Sequence, residues 1–323
     1  MAWFDADAPL LPEVLTRQAR WHGRQTALVM DDQRRSWQQF EEATSRIAQA
    51  LLASGVGRGV SVVLLMTNSL EMIEAIFGVL KAGAAVVPLN TSVPDAALQS
   101  MTLDCGARVV VASGEHCARY AALRDVLPGV QLWLSVEPAG AEPAPGWQDF
   151  TRWRDSAPAT TPAVELRDDD VCNIIYSSGT TGLPKGIVHT HRRRLDWAYD
   201  LALALRYHSG CVTLCTLGLY SNISWVSILC TLLAGGRIVV ARSFDAEETL
   251  ALIGREHVTH SSVVPLQLQR LLESPGFRQR DLSSLQSVMC CGSPLPLVVK
   301  QRVIERIGPH LIELYGLTEG VIT

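Results

Sequence analysis

Within the eleven residues from Tyr176 to Gly186 lie four small hydroxyl side chains, Ser177, Ser178, Thr180 and Thr181. Among them are three glycines, Gly179, Gly182 and Gly186, with the rigid Pro184 and one cation, Lys185. A polyphosphate needs many hydrogen-bond donors close together and few side chains in the way. Glycines bring backbone N–H groups up to phosphate oxygens, hydroxyls add rotatable donors, and one lysine supplies a mobile charge. The order Pro184, Lys185, Gly186 is not the Gly-Lys-Ser/Thr that opens the helix of a Walker A loop. The stretch reads as a phosphate cradle of another kind. A flexible Ser/Gly surface loop is the plain alternative, and a pattern this long and constrained argues against it.

Residues 176–186 match throughout a signature of the form aromatic, Ser/Thr, Ser-Gly-Thr/Ser-Thr-Gly, any residue, Pro-Lys-Gly. The chain thereby resembles the adenylate-forming superfamily of acyl-CoA synthetases, aryl-CoA ligases, luciferase-like enzymes and peptide-synthetase adenylation domains. Leu80 to Asn90 resembles a second stretch of the same superfamily, in the expected order and spacing. Two more stand near the C-terminal end, Gly292-Ser293-Pro294 and Tyr315-Gly316-Leu317-Thr318-Glu319.

The resemblance implies a set of roles. Ser177, Ser178, Gly179, Thr180, Thr181, Gly182 and Lys185 would hold ATP. The backbone at Gly292, Ser293 and Pro294 would border the adenine, on which Tyr315 stacks beside Gly316. Thr318 would touch the α-phosphate, and Glu319, with Thr181, would hold Mg²⁺. Magnesium suits one carboxylate plus phosphate oxygens, and a purine suits a flat aromatic face. Lys185, Thr318 and Glu319 are then the expected catalytic residues.

Tyr220, Ser221 and Asn222 fall where acyl- and aryl-CoA ligases line the acid pocket. Ser221 stands in place of the usual histidine, and the aspartate by which peptide-synthetase domains hold an amino group is lacking. The apolar flanks favour a fatty or aryl acid over an amino acid or a short polar acid.

The resemblance implies a ligase: a carboxylate attacks the α-phosphorus of Mg·ATP, and CoA thiol then displaces AMP. No covalent enzyme intermediate is needed. A carrier-protein thiol as acceptor, or nucleotide or acyl binding without turnover, are the alternatives. The whole of residues 1–323 reads as the N-terminal AMP-binding domain. Its subdomains are expected at about 1–170 and 171–323. The family's ribose-binding aspartate, hinge and small C-terminal domain with its second lysine are expected to be absent, leaving exposed apolar surface at 311–323.

The elements that must position these residues read as α/β. Helical spacing at Leu11, Val14, Leu15 and Ala19 precedes a hairpin of residues 26–30 and 35–37, and Ser36 is placed to cap a helix reaching about Ser54. Residues 61–66, 71–81 and 84–89 form a strand, helix, strand unit, so the strands are parallel with a right-handed crossover. The pattern recurs at 108–112 and 131–134, giving layered sheets with helices on both faces. Residues 137–170, rich in Pro and Gly, read as a surface connection, and Asp168-Asp169-Asp170 as a solvated loop. A helix from Arg192 to Arg206 begins with three arginines against the helix dipole; solvated charge is favoured over attraction of nucleotide or CoA phosphates. Asp245 caps a helix to Arg255. His257 and His260 fall in one strand on opposite faces, which makes a shared metal improbable.

Hydrophobic residues make up 48% of the 323 and charged residues 19%, a balance that supports extensive burial. The net charge of -4 offers nothing to nucleic acid. No apolar run reaches membrane-spanning length and the acidic start lacks a secretory pattern, so a cytoplasmic protein is expected. The eight cysteines include no CxxC and no zinc-ligand spacing and read as free thiols, with Cys290-Cys291 beside a nucleotide motif.

Overall fold

In a computed structural model, which describes residues 9–177 and 184–319, the chain builds two seven-stranded sheets with helices between and outside them. The opening elements are α1 (Leu11–His22), β1 (Thr26–Met30), β2 (Gln33–Ser36) and α2 (Trp37–Ala53). Next come β3 (Ser61–Leu65), α3 (Leu70–Lys81), β4 (Ala85–Pro88), α4 (Asp95–Asp104), β5 (Ala107–Ser113), α5 (Gly114–Ala121) and β6 (Leu132–Val136). The middle of the chain supplies β7 (Gln148–Asp149), α6 (Phe150–Asp155), β8 (Val171–Ser177), β9 (Lys185–Thr190) and α7 (His191–Ala204). It continues through β10 (Val212–Cys215), α8 (Asn222–Ala234), β11 (Arg237–Val240), α9 (Ala246–Glu256), β12 (His260–Val263) and α10 (Pro265–Glu273). The last elements are α11 (Gly276–Gln279), β13 (Ser287–Cys290), α12 (Leu297–Ile307) and β14 (Leu311–Glu313).

One sheet runs β7-β6-β5-β3-β4-β8-β9 and the other β14-β13-β12-β10-β11-β1-β2. All pairings are parallel except the hairpins β1/β2 and β8/β9. The sheets exchange strands across residue 170. The β1/β2 hairpin joins the sheet built from residues 212–313, and the β8/β9 hairpin joins the sheet built from residues 61–149.

Both faces of each sheet are covered, so the strands are apolar runs whose alternate residues serve different layers. Val62 and Leu64 of β3 face the layer between the sheets, where they share one core with Leu28, Ile238 and Val240 of the other sheet and with α2, α3 and α8. Val63 and Leu65 face outward to α4 and α5. Val29, Val239 and Val263 face the opposite outer layer, under α9, α10 and α12.

Local chemistry starts these helices where the caps sit. Ser36, Ser69 and Asp245 accept from the N–H groups of Gln39, Met72 and Glu248. Every residue of α3 except Glu71 is buried, as expected for a helix between two sheets. Its last residue, Lys81, pairs with Glu41 at 2.7 Å and donates to Thr44 and Ser45, which gives the buried ammonium three partners. In the turn before α3, Asn68 ties the sheets together. Its Nδ2 donates to the carbonyls of Leu217 (2.9 Å) and Ala241 (3.0 Å), and its Oδ1 accepts from Leu219 N (2.8 Å).

Three expectations are corrected. The passage 137–170 is more than a connection: it contains β7 and α6, with Phe150 fully buried and Arg154 reaching the buried Glu74 at 2.8 Å. The acidic triplet is engaged rather than merely solvated, since Asp168 pairs with Arg192 and Asp170 with Arg58. His257 lies outside the strand; it closes α9 in the left-handed region at φ 51, and the strand begins at His260.

Candidate active site

Helix α7, the N-terminus of α8 and the ends of β8, β9, β13 and β14 surround a cavity of about 660 Å³. Ser177 and Lys185 face each other in register at the end of the β8/β9 hairpin where the two strands are connected, and both line the cavity. Ser178, Gly179, Thr180, Thr181 and Gly182 lie outside the described residues. One pair behind, Tyr176 stands opposite Gly186, and its hydroxyl donates to Asp104 at 2.5 Å, which holds the ring in the wall. A Cβ on Gly186 would lie 3.0 Å from Ile174 and 3.2 Å from the Tyr176 ring, so any side chain there presses the ring aside by a few tenths of an ångström.

Tyr220, Ser221 and Asn222 form another wall. Ser221 caps α8 by accepting from Ile223 N at 3.2 Å, which fixes the turn, and Asn222 Oδ1 is buried without a hydrogen-bond partner among the described residues. Gly292, in the left-handed region at φ 100, carries the chain from β13 past Ile223; it lines the cavity, while Ser293 and Pro294 are exposed outside the lining. Gly316, Thr318 and Glu319 complete the rim. Tyr315 is 64% exposed and outside the lining, open to a ring stacked on it from solvent.

The remaining wall is apolar: Trp197 and Leu201 from α7, Ile223 and Val226 from α8, and Met289, Cys291 and Leu314 from the sheet end. Burial pushes the Cys291 thiol up and the Cys290 thiol to about 12, so neither is a ready nucleophile. Sequence reasoning missed these wall residues. Trp197 and Leu201 are spaced i, i+4, the one signal that puts both on a single face of α7.

A second cavity of about 310 Å³ shares Trp197, Leu201, Asn222, Thr318 and Glu319 with the first and is lined further by His189, Arg193 and Arg194. Here the arginine triplet departs from the expectation of solvated charge. Arg192 pairs with Asp168, but Arg194 is only 1% exposed. Its Nε donates to Asn173 Oδ1 at 2.9 Å, its Nη2 lies 3.3 Å from His189 Nδ1, and its guanidinium sits 4.9 and 5.1 Å from the Trp197 and Trp225 rings. Burial pulls Arg194 down to about 10 and His189 to about 4, so the imidazole is neutral near pH 7. His189 Nε2 is 2.7 Å from the carbonyl of Thr318.

The donor set suits one magnesium ion carried in with a nucleotide: among the described lining residues Glu319 is the one carboxylate, in a cavity also lined by hydroxyls and Lys185, with open space for phosphate oxygens.

The chain belongs to the AMP-binding enzyme family, which matches it over residues 15–323. It is 31% identical to a feruloyl-CoA synthase of Amycolatopsis sp over 94% of this chain and 58% of that protein. It is 30% identical to the long-chain-fatty-acid--CoA ligase FadD13 of Mycobacterium tuberculosis over 90% of this chain and 56% of the other. The fold superposes on the anthranilate CoA ligase AuaEII, solved with anthranoyl-AMP, with a TM-score of 0.92 at 27% identity, covering 99% of this chain and 62% of that one. The chain thus spans about three-fifths of the length of the relatives it matches. Among the described residues, no helix is long and apolar enough to cross a membrane.

Proposed function

We propose that the chain carries the adenylating site of a carboxylic acid–CoA ligase for aryl or fatty acids. The observation that supports this best is the joining, in one cavity, of the hairpin end at Ser177 and Lys185, the Thr318-Glu319 turn and an apolar wall.

The acid lies with its hydrocarbon against Trp197, Val226 and Met289 and its carboxylate toward Thr318. A carboxylate oxygen attacks the α-phosphorus of ATP; the new P–O bond forms as the bond to the β-phosphate oxygen breaks, giving acyl-AMP and pyrophosphate. The Lys185 ammonium neutralises charge on the phosphate oxygens, the Thr318 hydroxyl donates to an α-phosphate oxygen, and the apolar wall excludes water from the anhydride. Magnesium, held by Glu319 and by Thr181, would draw charge from the phosphates. Gly292, Ser293 and Pro294 border the adenine, which stacks on Tyr315 beside Gly316. The CoA thiolate then attacks the acyl carbon and AMP leaves. The buried free thiols and the need for ATP fit a reducing cytoplasm.

The test is acid-dependent exchange of labelled pyrophosphate into ATP across a panel of aryl, fatty, short and amino acids, followed by CoA and phosphopantetheinyl carrier protein as thiol acceptors. Exchange with aryl or fatty acids, lost on Lys185→Ala, and thioester formed with CoA are expected. Nucleotide binding with no exchange for any acid would make the chain a binder, and preference for acetate or a free amino acid would overturn the substrate class.

A further inference from the structure

The Thr318-Glu319 turn has little packing of its own, since none of residues 314–319 is buried and Tyr315 and Leu317 are exposed. A polar chain reaches it from the sheet interior instead. Asn173, fully buried in β8, accepts from Arg194 Nε; Arg194 Nη2 meets His189 Nδ1; and His189 Nε2 meets the Thr318 carbonyl. The roles along this chain follow from chemistry. A guanidinium has donors and no acceptor, so the His189 nitrogen facing it is the unprotonated one. A carbonyl only accepts, so the nitrogen facing Thr318 carries the hydrogen. Both neighbours demand the same tautomer.

We propose that His189 is a positioning residue for adenylation. With Arg194 holding Nδ1 as the acceptor, its Nε2–H is committed to the Thr318 carbonyl, which sets the Thr318 hydroxyl and the Glu319 carboxylate against the phosphates. This inference rests on the adenylating reading above and extends it to a residue outside the lining of the first cavity.

The cost of burying a guanidinium supports the assignment. Arg194 would be more stable in water, and two indole faces with one amide oxygen offset only part of its desolvation. A neutral aliphatic side chain would pack there at lower cost but would remove one of the two neighbours that fix which nitrogen of His189 carries the proton.

Two measurements test it. The ring-nitrogen NMR spectrum of His189, assigned by its loss in His189→Gln, should show the Nε2-protonated form in the wild type and a tautomer mixture in Arg194→Met. In pyrophosphate exchange, His189→Leu should lower kcat or raise KM for Mg·ATP about tenfold with KM for the acid within about twofold. His189→Gln, whose amide N–H reaches the same carbonyl, should recover to within about threefold. An Nδ1-protonated wild type, wild-type kinetics in His189→Leu, or equal losses in Leu and Gln variants would each overturn it. If the wild type exchanged no pyrophosphate with any acid, the adenylating reading would fall with this role, and the nitrogen spectrum would still decide the tautomer.

Discussion

Tyr176 and Gly186 are partners across the β8/β9 hairpin, and the aromatic ring covers the glycine so closely that a methyl group there would sit 3.2 Å from it. The ring is held by its hydroxyl, whose one hydrogen is shared between Asp104 and the Met101 carbonyl, so it cannot move aside without losing both contacts. Gly186→Val should therefore swing Tyr176 into the cavity. Stability should drop by about 1–3 kcal/mol in urea unfolding, and KM for ATP should rise at least about tenfold. A variant with unchanged KM would show that this wall plays no part in nucleotide use.

Asn68 satisfies two buried carbonyls and one N–H of the opposite sheet's connections. Asn68→Ala strands all three, and chemical denaturation should read a loss of about 2–4 kcal/mol. Asn68→Asp should be no better, because a carboxylate keeps the acceptor for Leu219 N but presents oxygen to two carbonyls.

Val226 projects from α8 into the apolar wall. Val226→Trp should shorten the acid pocket, cutting kcat/KM for bulky aryl or long acyl acids by about tenfold or more while short acids stay within about threefold. A uniform loss across the panel would place the acid elsewhere.

His260 is buried between Tyr207 and the Leu205 carbonyl, with His208 and Cys211 nearby, and burial lowers it to about 4; His191, fully buried, is lowered to about 4 as well. Their folded values lie below the unfolded value of about 6.5, so the stability they confer is complete above pH 6.5 and is lost as pH falls toward 4. Unfolding near pH 5 should take up roughly one proton for each. His260→Gln should flatten the stability slope between pH 6.5 and 4 by about one proton; an unchanged slope would mean that His260 is already charged in the folded state.

Much of the local structure was legible because its signals are local. Ser36 and Asp245 could be read as caps, and the run from Ser61 to Leu89 as strand, helix, strand, from side-chain spacing alone. Which sheet a strand enters was not legible. β1 pairs with β11 and β8 with β4, and both choices depend on surfaces far away in sequence. Arg194 was misread for the same reason. Three successive arginines look like a solvated edge until two tryptophans and an asparagine, on three different elements, close around the third. The wall residues Met289 and Leu314 carry no chemistry of their own and are marked only by where β13 and β14 end.

The exchange of hairpins between the sheets also bears on how the molecule comes off the ribosome. β1 emerges early and must wait for β11, roughly 200 residues later, before its free side is paired, so its inner layer forms late and slowly. During synthesis the exposed edge of β1 is a hazard for aggregation that chaperones would have to shield. Cutting the gene at residue 170 would give two pieces that each carry an open edge fitting the other. Such pieces should be insoluble alone and recover a folded molecule when produced together.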